Sequence, residues 1–213
     1  MYVRDIMTTN VVTIPSSTSI ADAKRIMEAH RFRRLPVVDK GKLVGIVTER
    51  KLEQVSPSKA TSLSVWELSY LLDKTTVKEI MERNVVTVPP DMTAEESLAV
   101  AQSNKVGALV VVEDDKVVGI STTNDFFYKI VNPLLGLGEP GARIEVTGGG
   151  EGKALEEVIS TINKRGLKIA TLQILAPPEA TKRDIIVHVD SEDVAQLIAE
   201  LEGKGYSVKL RQR

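Results

Sequence analysis

The sequence predicts an α+β protein in which one unit is written twice and a different unit follows. Three observations carry this. Residues 3–51 and 77–125 repeat at a constant offset of 74, with 16 of 49 aligned positions identical and no gap. Inside each copy, β-branched runs alternate with stretches of helical periodicity. After Val131 the pattern changes to a Gly/Pro-rich stretch and then a new series of strands and helices. A stacked array usually needs about three or more units. Two copies predict instead a pseudo-symmetric pair packed face to face, with equivalent clefts between them.

Each copy reads as strand, helix, strand, strand, helix. The first strand is the β-branched run 11–14, ended by Pro15, and its counterpart is 85–88, ended by Pro89. Ser19-x-x-Asp22 and Thr93-x-x-Glu96 then open helices, because a hydroxyl followed three residues later by an acid can cap a first turn. Ile26, Met27, Leu98 and Ala101 lie on apolar helix faces that one chain would cover only partly, and these predict a homodimer. Two apolar strands joined by a polar turn follow, at 35–38 and 43–47, and again at 109–112 and 117–121.

Between the copies, 55–60 is a Ser/Pro-bearing connector. Ser64-x-x-Glu67 then opens a helix that carries Trp66, read as a packing residue. The chain accordingly divides into repeat one (1–54), a linker with a helix (55–76), repeat two (77–131), a Gly/Pro linker (132–141) and a last domain (142–213). In that domain, strands at 143–146, 168–175, 184–189 and 206–210 alternate with helices at 153–165 and 191–204. The order βαββαβ is that of a ferredoxin-like split βαβ unit.

Composition narrows the function classes. Lys and Arg number 28 and Asp and Glu 29, a net charge of −1, so no global field draws the chain to nucleic acid or anionic lipid. The absence of cysteine excludes disulfides, thiolate metal sites and a cysteine nucleophile. No apolar run approaches the ~18 residues of a membrane span, and a cytoplasmic protein is expected. His30 and His188 are the only histidines, and no GxSxG, HExxH or P-loop accompanies them. No catalytic constellation and no metal site is expected, so the chain reads as a non-enzyme.

The strongest chemical signal is Gly119-Ile120-Ser121-Thr122-Thr123-Asn124-Asp125. A strand ends there and a helix begins, which turns backbone N–H groups outward. Thr122 offers a hydroxyl to a phosphate or ribose oxygen, and Asp125 can accept two hydrogen bonds from a vicinal diol. The competing reading is that Thr and Asp at a helix start are simply caps. The first copy has Thr48 in register with Thr122 but Lys51 in register with Asp125. An ammonium has no lone pair for a ribose hydroxyl, so the two clefts are chemically unequal. His30-Arg31-Phe32-Arg33-Arg34 forms a basic run that copy two lacks; it is either a solvated face or a set of forked donors for phosphate. Gly107 and Ala108 leave space there for a flat base. In a pseudo-dyad, Arg33 or Arg34 of one copy faces a nucleotide held by Asp125 of the other. The loop 148–152, rich in glycine, is either a close approach to a small anion or a turn.

These residues resemble a known family. Arg33-Arg34-Leu35-Pro36-Val37-Val38-Asp39 and the turn 119–125 look like the hallmarks of a tandem pair of CBS domains. The βαββαβ segment is similar to an ACT domain, although Glu151-Gly152 replaces the usual Pro-Gly. The order CBS–CBS–ACT resembles the acetoin-utilisation protein B type. The resemblance implies a regulatory sensor that binds AMP, ADP, ATP or S-adenosylmethionine between the repeats, with no obligatory cofactor. It also implies ribose on Asp125, phosphate at Thr122, and adenine against backbone near Thr87, Val88 and Pro89, with Asn124, Ala108 and Leu109 among the ligand-binding residues. A homodimer and an unknown regulated protein partner are implied as well. A structural dimerisation module without ligand is the alternative.

Overall fold

Reciprocal exchange of short leaders holds the duplicated half together. The computed structural model describes residues 1–55, 65–176, 178 and 181–211, which fall into two compact units, Met1–Phe126 and Phe127–Arg213. In the first unit the order is α1 (Val3–Ile6), α2 (Ile20–His30), β1 (Arg34–Asp39), β2 (Lys42–Thr48), α3 (Glu49–Val55), α4 (Val65–Lys74), a 3-10 turn Val77–Glu79, β3 (Thr87–Val88), α5 (Ala94–Ser103), β4 (Ala108–Glu113), β5 (Lys116–Thr122) and α6 (Thr123–Phe126). The expected connector, the Ser64 cap and the packing of Trp66 lie outside the described residues and side chains.

The capping signals act as their chemistry dictates. Ser19 Oγ accepts from Asp22 N at 3.0 Å, and Thr93 Oγ1 accepts from Glu96 N at 3.2 Å while Glu96 reaches back to Thr93 N. Each hairpin carries the same register break, between Val37 and Val38 in β1–β2 and between Val111 and Val112 in β4–β5. The two tight turns differ in residue but not in conformation. Lys40 and Gly41 have φ of 50° and 81°, and Asp114 and Asp115 have 48° and 63°. Aspartate tolerates the left-handed region that glycine occupies without cost. The expected first strands are shorter than predicted. Copy one contributes an isolated parallel bridge, Ile14 to Val37, and copy two the two-residue β3, parallel to β4.

The leaders cross over, which the linear repeat boundaries do not reveal. Val3 is fully buried in the core of the second copy, with Val88, Leu109 and Val111. Val77, its counterpart, is fully buried in the core of the first, with Leu35, Val37 and Val47. Thr8 bridges Ile120, and Glu82 bridges Ile46. A Cβ on Gly119 would strike Met7, and one on Gly45 would strike Met81 Sδ at 2.7 Å. Each pair is the other shifted by 74.

The apolar helix faces that predicted a dimer are mostly used internally. Met27 is 3% exposed in the first core, Ile26 packs against the same core, and Ala101 packs against the second. Leu98 remains 40% exposed. The tertiary fold consumes these faces because α2 and α5 each lie across their own hairpin.

The second unit contains a π-helical turn Phe127–Val131, α7 (Asn132–Leu134), β6 (Ala142–Thr147), α8 (Gly152–Lys164), β7 (Ile169–Leu175), β8 (Asp184–Val189), α9 (Ala195–Gly203) and β9 (Ser207–Arg211). The four strands form one antiparallel sheet in the order β7-β8-β6-β9. Ile144, Val146, Ile185, Val187 and Val189 pack with Val158 and Ile162 of α8 and Leu197 and Leu201 of α9. The helix α9 begins at Ala195 rather than at 191, with Asp193 Oδ1 accepting from Ala195 N at 3.3 Å.

Candidate functional site

A cleft of about 560 Å³ lies between the two copies at the end of β5. Thr122, Thr123, Asn124 and Asp125 form one side, and Arg31, Phe32, Arg33 and Arg34 form the other. Thr8, Asn10, Val11 and Val12 of the leader, with Gly107 and Ile120, complete it. That size falls in the ordinary range for small-molecule sites, about 300–1,000 Å³.

Local structure explains each placement. The strand β5 ends at Thr122 and α6 begins at Thr123, so the expected strand-to-helix turn is present. Asp125 Oδ2 accepts from Thr122 N at 2.8 Å and from Thr122 Oγ1 at 2.7 Å. The cap reading is therefore correct as geometry, and the Thr122 hydroxyl presents its lone pairs rather than its proton. Asp125 Oδ1 has a long contact, 3.5 Å, from Thr8 Oγ1. Thr8 arrives because its backbone pairs with Ile120, N to O at 2.9 and 3.0 Å in the two directions. The same pairing leads Asn10, Val11 and Val12 along the cleft.

The basic wall depends on how α2 stops. Arg31 sits at φ 56° as the left-handed C-cap, with its N–H donating to Glu28 O, and this turns residues 32–34 toward the cleft. Phe32 stacks on His30 with ring centroids 5.3 Å apart, and it also packs against the first core. Arg33 faces Glu49 at 3.7 Å in an exposed pair that contributes little. Among the described residues, neither Arg31 nor Arg34 has a carboxylate within ion-pair distance. Burial, and secondarily the charge of Arg33, hold the Arg34 guanidinium below its ordinary pKa. Three arginines and a single acidic residue, Asp125, thus line this cleft.

Of the residues the sequence singled out, the structure gathers Thr122, Asn124, Asp125, Arg33 and Arg34. Others lie elsewhere. Val88 and Leu109 are in the core of the second copy, Pro89 is exposed, and Thr87 lines a smaller groove with Lys42, Arg83 and Asp115. The backbone wall beside Asp125 is supplied by Asn10-Val11-Val12 instead, because the crossed leader brings copy one to the Asp125 side. Ala108 is not among the lining residues, and its neighbour Gly107 is. Thr48 and Lys51 occupy the pseudo-equivalent position, where Lys51 N donates to Thr48 Oγ1 at 3.2 Å. Sequence reasoning missed Thr8, Asn10, Val11, Val12 and Phe32 as cleft residues. For Asn10, Val11 and Val12 the one available signal was their recurrence as Asn84-Val85-Val86; Thr8 and Phe32, which align with Glu82 and Val106, carried no such signal.

The glycine loop of the second unit proves to be a turn. Gly148 N donates to Asp184 Oδ1 at 2.8 Å, Gly149 N to Val146 O, and Gly150 N to Arg183 O at 2.9 Å. Added Cβ atoms at Gly149 and Gly150 would meet Ile185, Val146 and the backbone of Arg183 within 3.0 Å. The amides of Gly148, Gly149 and Gly150 are consumed internally, which favours the turn over a close approach to an anion at those three residues. His188 is 1% exposed, with Nε2 3.1 Å from Pro140 O. Among the described residues no three of His, Cys, Asp and Glu are grouped to hold a metal ion, and no helix is long and apolar enough to cross a membrane.

The comparisons with known proteins concern the duplicated half. The CBS domain profile matches residues 3–56 and 77–132. The inosine-5'-monophosphate dehydrogenase of Korarchaeum cryptofilum is 32% identical over 133 residues, 62% of this chain and 25% of its own length. The L-aspartate semialdehyde sulfurtransferase of Methanocaldococcus jannaschii is 34% identical over 58% of this chain and 22% of its own length. The chain thus spans about a quarter of the length of these curated relatives. Among solved structures, a Vibrio cholerae protein assigned to acetoin utilization is 36% identical, with TM-score 0.52, over 64% of this chain and 94% of its own. The CBS domain pair of protein MJ0100, solved with 5-methylthioadenosine and S-adenosyl-L-methionine, is 30% identical, with TM-score 0.51, over 62% of this chain and 97% of its own.

Proposed function

Because the chain belongs to the CBS-domain family, its profile matching both copies of the repeat, we propose that it is a regulatory sensor of an adenosine ligand held in the cleft at Asp125. One observation carries the reading. A carboxylate on the strand-to-helix turn of copy two stands across one cleft from arginines of copy one. A ribose diol donates to Asp125, the adenine lies along the Asn10-Val11-Val12 backbone, and the 5' substituent extends toward the arginines. The MJ0100 pair, solved with two adenosine compounds, supports this class of ligand. The protein acts by binding rather than by catalysis, in the cytoplasm, and ligand state passes to the second unit or to a partner protein.

The second unit is proposed to be an ACT-like regulatory domain, on the strength of its βαββαβ order and strand order β7-β8-β6-β9. A homodimer is proposed on a narrower basis than the sequence implied, since Leu98 alone of the four expected helix residues stays exposed. Light scattering that returns a monomer mass removes the dimer.

Calorimetry tests the site. Asp125→Ala loses charge-assisted hydrogen bonds worth about 1.5–3 kcal/mol, or about ten- to a hundredfold in affinity for an adenosine ligand. Asp125 also caps Thr122, so a melt without ligand is run beside the titration. Unchanged affinity in the variant refutes the assignment. So does failure of every adenosine compound to bind the wild type.

A further inference from the structure

We propose that the cleft selects an adenosine di- or triphosphate over a sulfonium or uncharged adenosine compound, and that Gly107 is the positioning residue that makes this possible by leaving room for the guanidinium of Arg34. The proposal rests on the adenosine reading of the same cleft and names its ligand class.

The geometry is specific. Arg34 belongs to copy one and Gly107 to copy two. A Cβ built on Gly107 would lie 2.8 Å from Arg34 Nη2 and 3.8 Å from Cζ. The guanidinium therefore occupies the space that any side chain at 107 would claim. Thr123 N and Thr123 Oγ1 both donate to Gly107 O at 3.3 Å, which ties this glycine to the first turn of α6, the turn that carries Asp125. Arg34 is thus placed beside the element that holds the ribose acceptor, although it comes from the other repeat. Gly107 is not at a positive φ, so the glycine serves space here rather than backbone conformation.

Charge completes the argument. Arg31, Arg33 and Arg34 line the cleft against the single carboxylate of Asp125, and among the described residues Arg31 and Arg34 have no carboxylate within ion-pair distance. Half-burial of Arg34 both lowers its pKa and reduces the screening of its field. Forked guanidinium donors match phosphate oxygens in pairs. S-adenosylmethionine offers the arginines one carboxylate, but its sulfonium and α-ammonium leave it net positive. A di- or triphosphate offers several anionic oxygens and no cation, and methylthioadenosine would leave the arginines without an anion.

Isothermal titration of the full chain with ATP, ADP, AMP, adenosine, S-adenosylmethionine and methylthioadenosine tests this. Affinity is expected to rise with phosphate count, with both sulfur compounds at least about tenfold weaker than ATP, since one charge-assisted pair amounts to about a factor of ten or more. Arg34→Ala is expected to weaken ATP about tenfold or more and adenosine less than about twofold. Gly107→Ala displaces only the far end of a flexible side chain, so the chain folds and melts as wild type. It is expected to weaken ATP several-fold, and to have no further effect when combined with Arg34→Ala. Raising salt weakens ATP and not adenosine. Sulfonium binding as tight as ATP, equal losses of ATP and adenosine in Arg34→Ala, or additive losses in the double variant overturn the proposal while leaving adenosine binding intact. No binding by any of the six compounds overturns both.

Discussion

At the end of β5, Asp125 accepts from Thr122 N and Thr122 Oγ1; at the end of β2, 74 residues earlier, Lys51 N donates to Thr48 Oγ1. The backbone turn recurs and the polarity of its cap is reversed. In copy two the threonine is a donor to a carboxylate that faces the cleft. In copy one the threonine is itself the acceptor, and the side chain three residues on is a cation. The neighbours differ in the same sense. Thr8 and its counterpart Glu82 make equivalent bridges, to Ile120 and Ile46, but Thr8 brings a hydroxyl beside Asp125 where copy one has a carboxylate. Arg34 corresponds to Ala108, and Arg33 to Gly107. A duplicated fold thus retains two scaffolds while its side chains give them unequal chemistry, a carboxylate facing arginines in one and a lysine and an alanine at the corresponding positions in the other.

The largest effect that probes this comparison comes from the exchanged leaders. Val3→Ala removes two buried methyl groups from the core of the second copy and costs about 2 kcal/mol or more. Val77→Ala does the same to the first. Denaturant unfolding measures the loss, and hydrogen exchange locates it. Val3→Ala is expected to weaken protection in β4 and β5, and Val77→Ala in β1 and β2. Protection lost in the variant's own copy would break the crossover.

Next in size is stoichiometry. Titration of the wild type is expected to give one adenosine site per chain by the ribose mode; two would show that Lys51 is no defect. Lys51→Asp by itself sets a second carboxylate near Glu82, and like charges oppose each other. Lys51→Asp with Glu82→Thr reproduces the Asp125–Thr8 pair and is expected to open a second, weaker site, because Ala108 supplies no guanidinium. Gain of a full-strength site from Lys51→Asp alone would show that the acceptor is all that separates the clefts.

The smallest effect serves as a control in the second unit. Hydrogen bonds from Lys204, at 3.0 Å, and from Tyr206, at 2.8 Å, hold Glu157 below the usual glutamate range. A depressed acid contributes stability that is full above its unfolded value and is lost as pH falls through the folded one. Tyr206 is raised by the same bond, so its contribution is present below the usual tyrosine value and lost as pH rises through the elevated one. Glu157→Gln is expected to lower the melting temperature at neutral pH, flatten the acid limb and leave nucleotide affinity unchanged. A change in affinity would tie this polar cluster to the cleft.

The duplication, the caps at Ser19 and Thr93, the hairpins, the βαββαβ order and the turn at Thr122–Asp125 were legible in the sequence, because each is written within a few residues. A cap needs a hydroxyl and an acid three apart, and a strand needs a short β-branched run. The inequality of Lys51 and Asp125 was legible for the same reason. What only the tertiary structure decided was which wall faces which. The leader 1–8 pairs with β5 rather than with its own hairpin, so Asn10, Val11 and Val12 line the Asp125 cleft in place of Thr87, Val88 and Pro89. Arg34 meets Gly107 across the pseudo-dyad for the same cause. Both arrangements close contacts between residues some 70 or more apart in the chain, and their register is set by burial of Val3 and Val77 in the opposite cores. No local spacing records that choice.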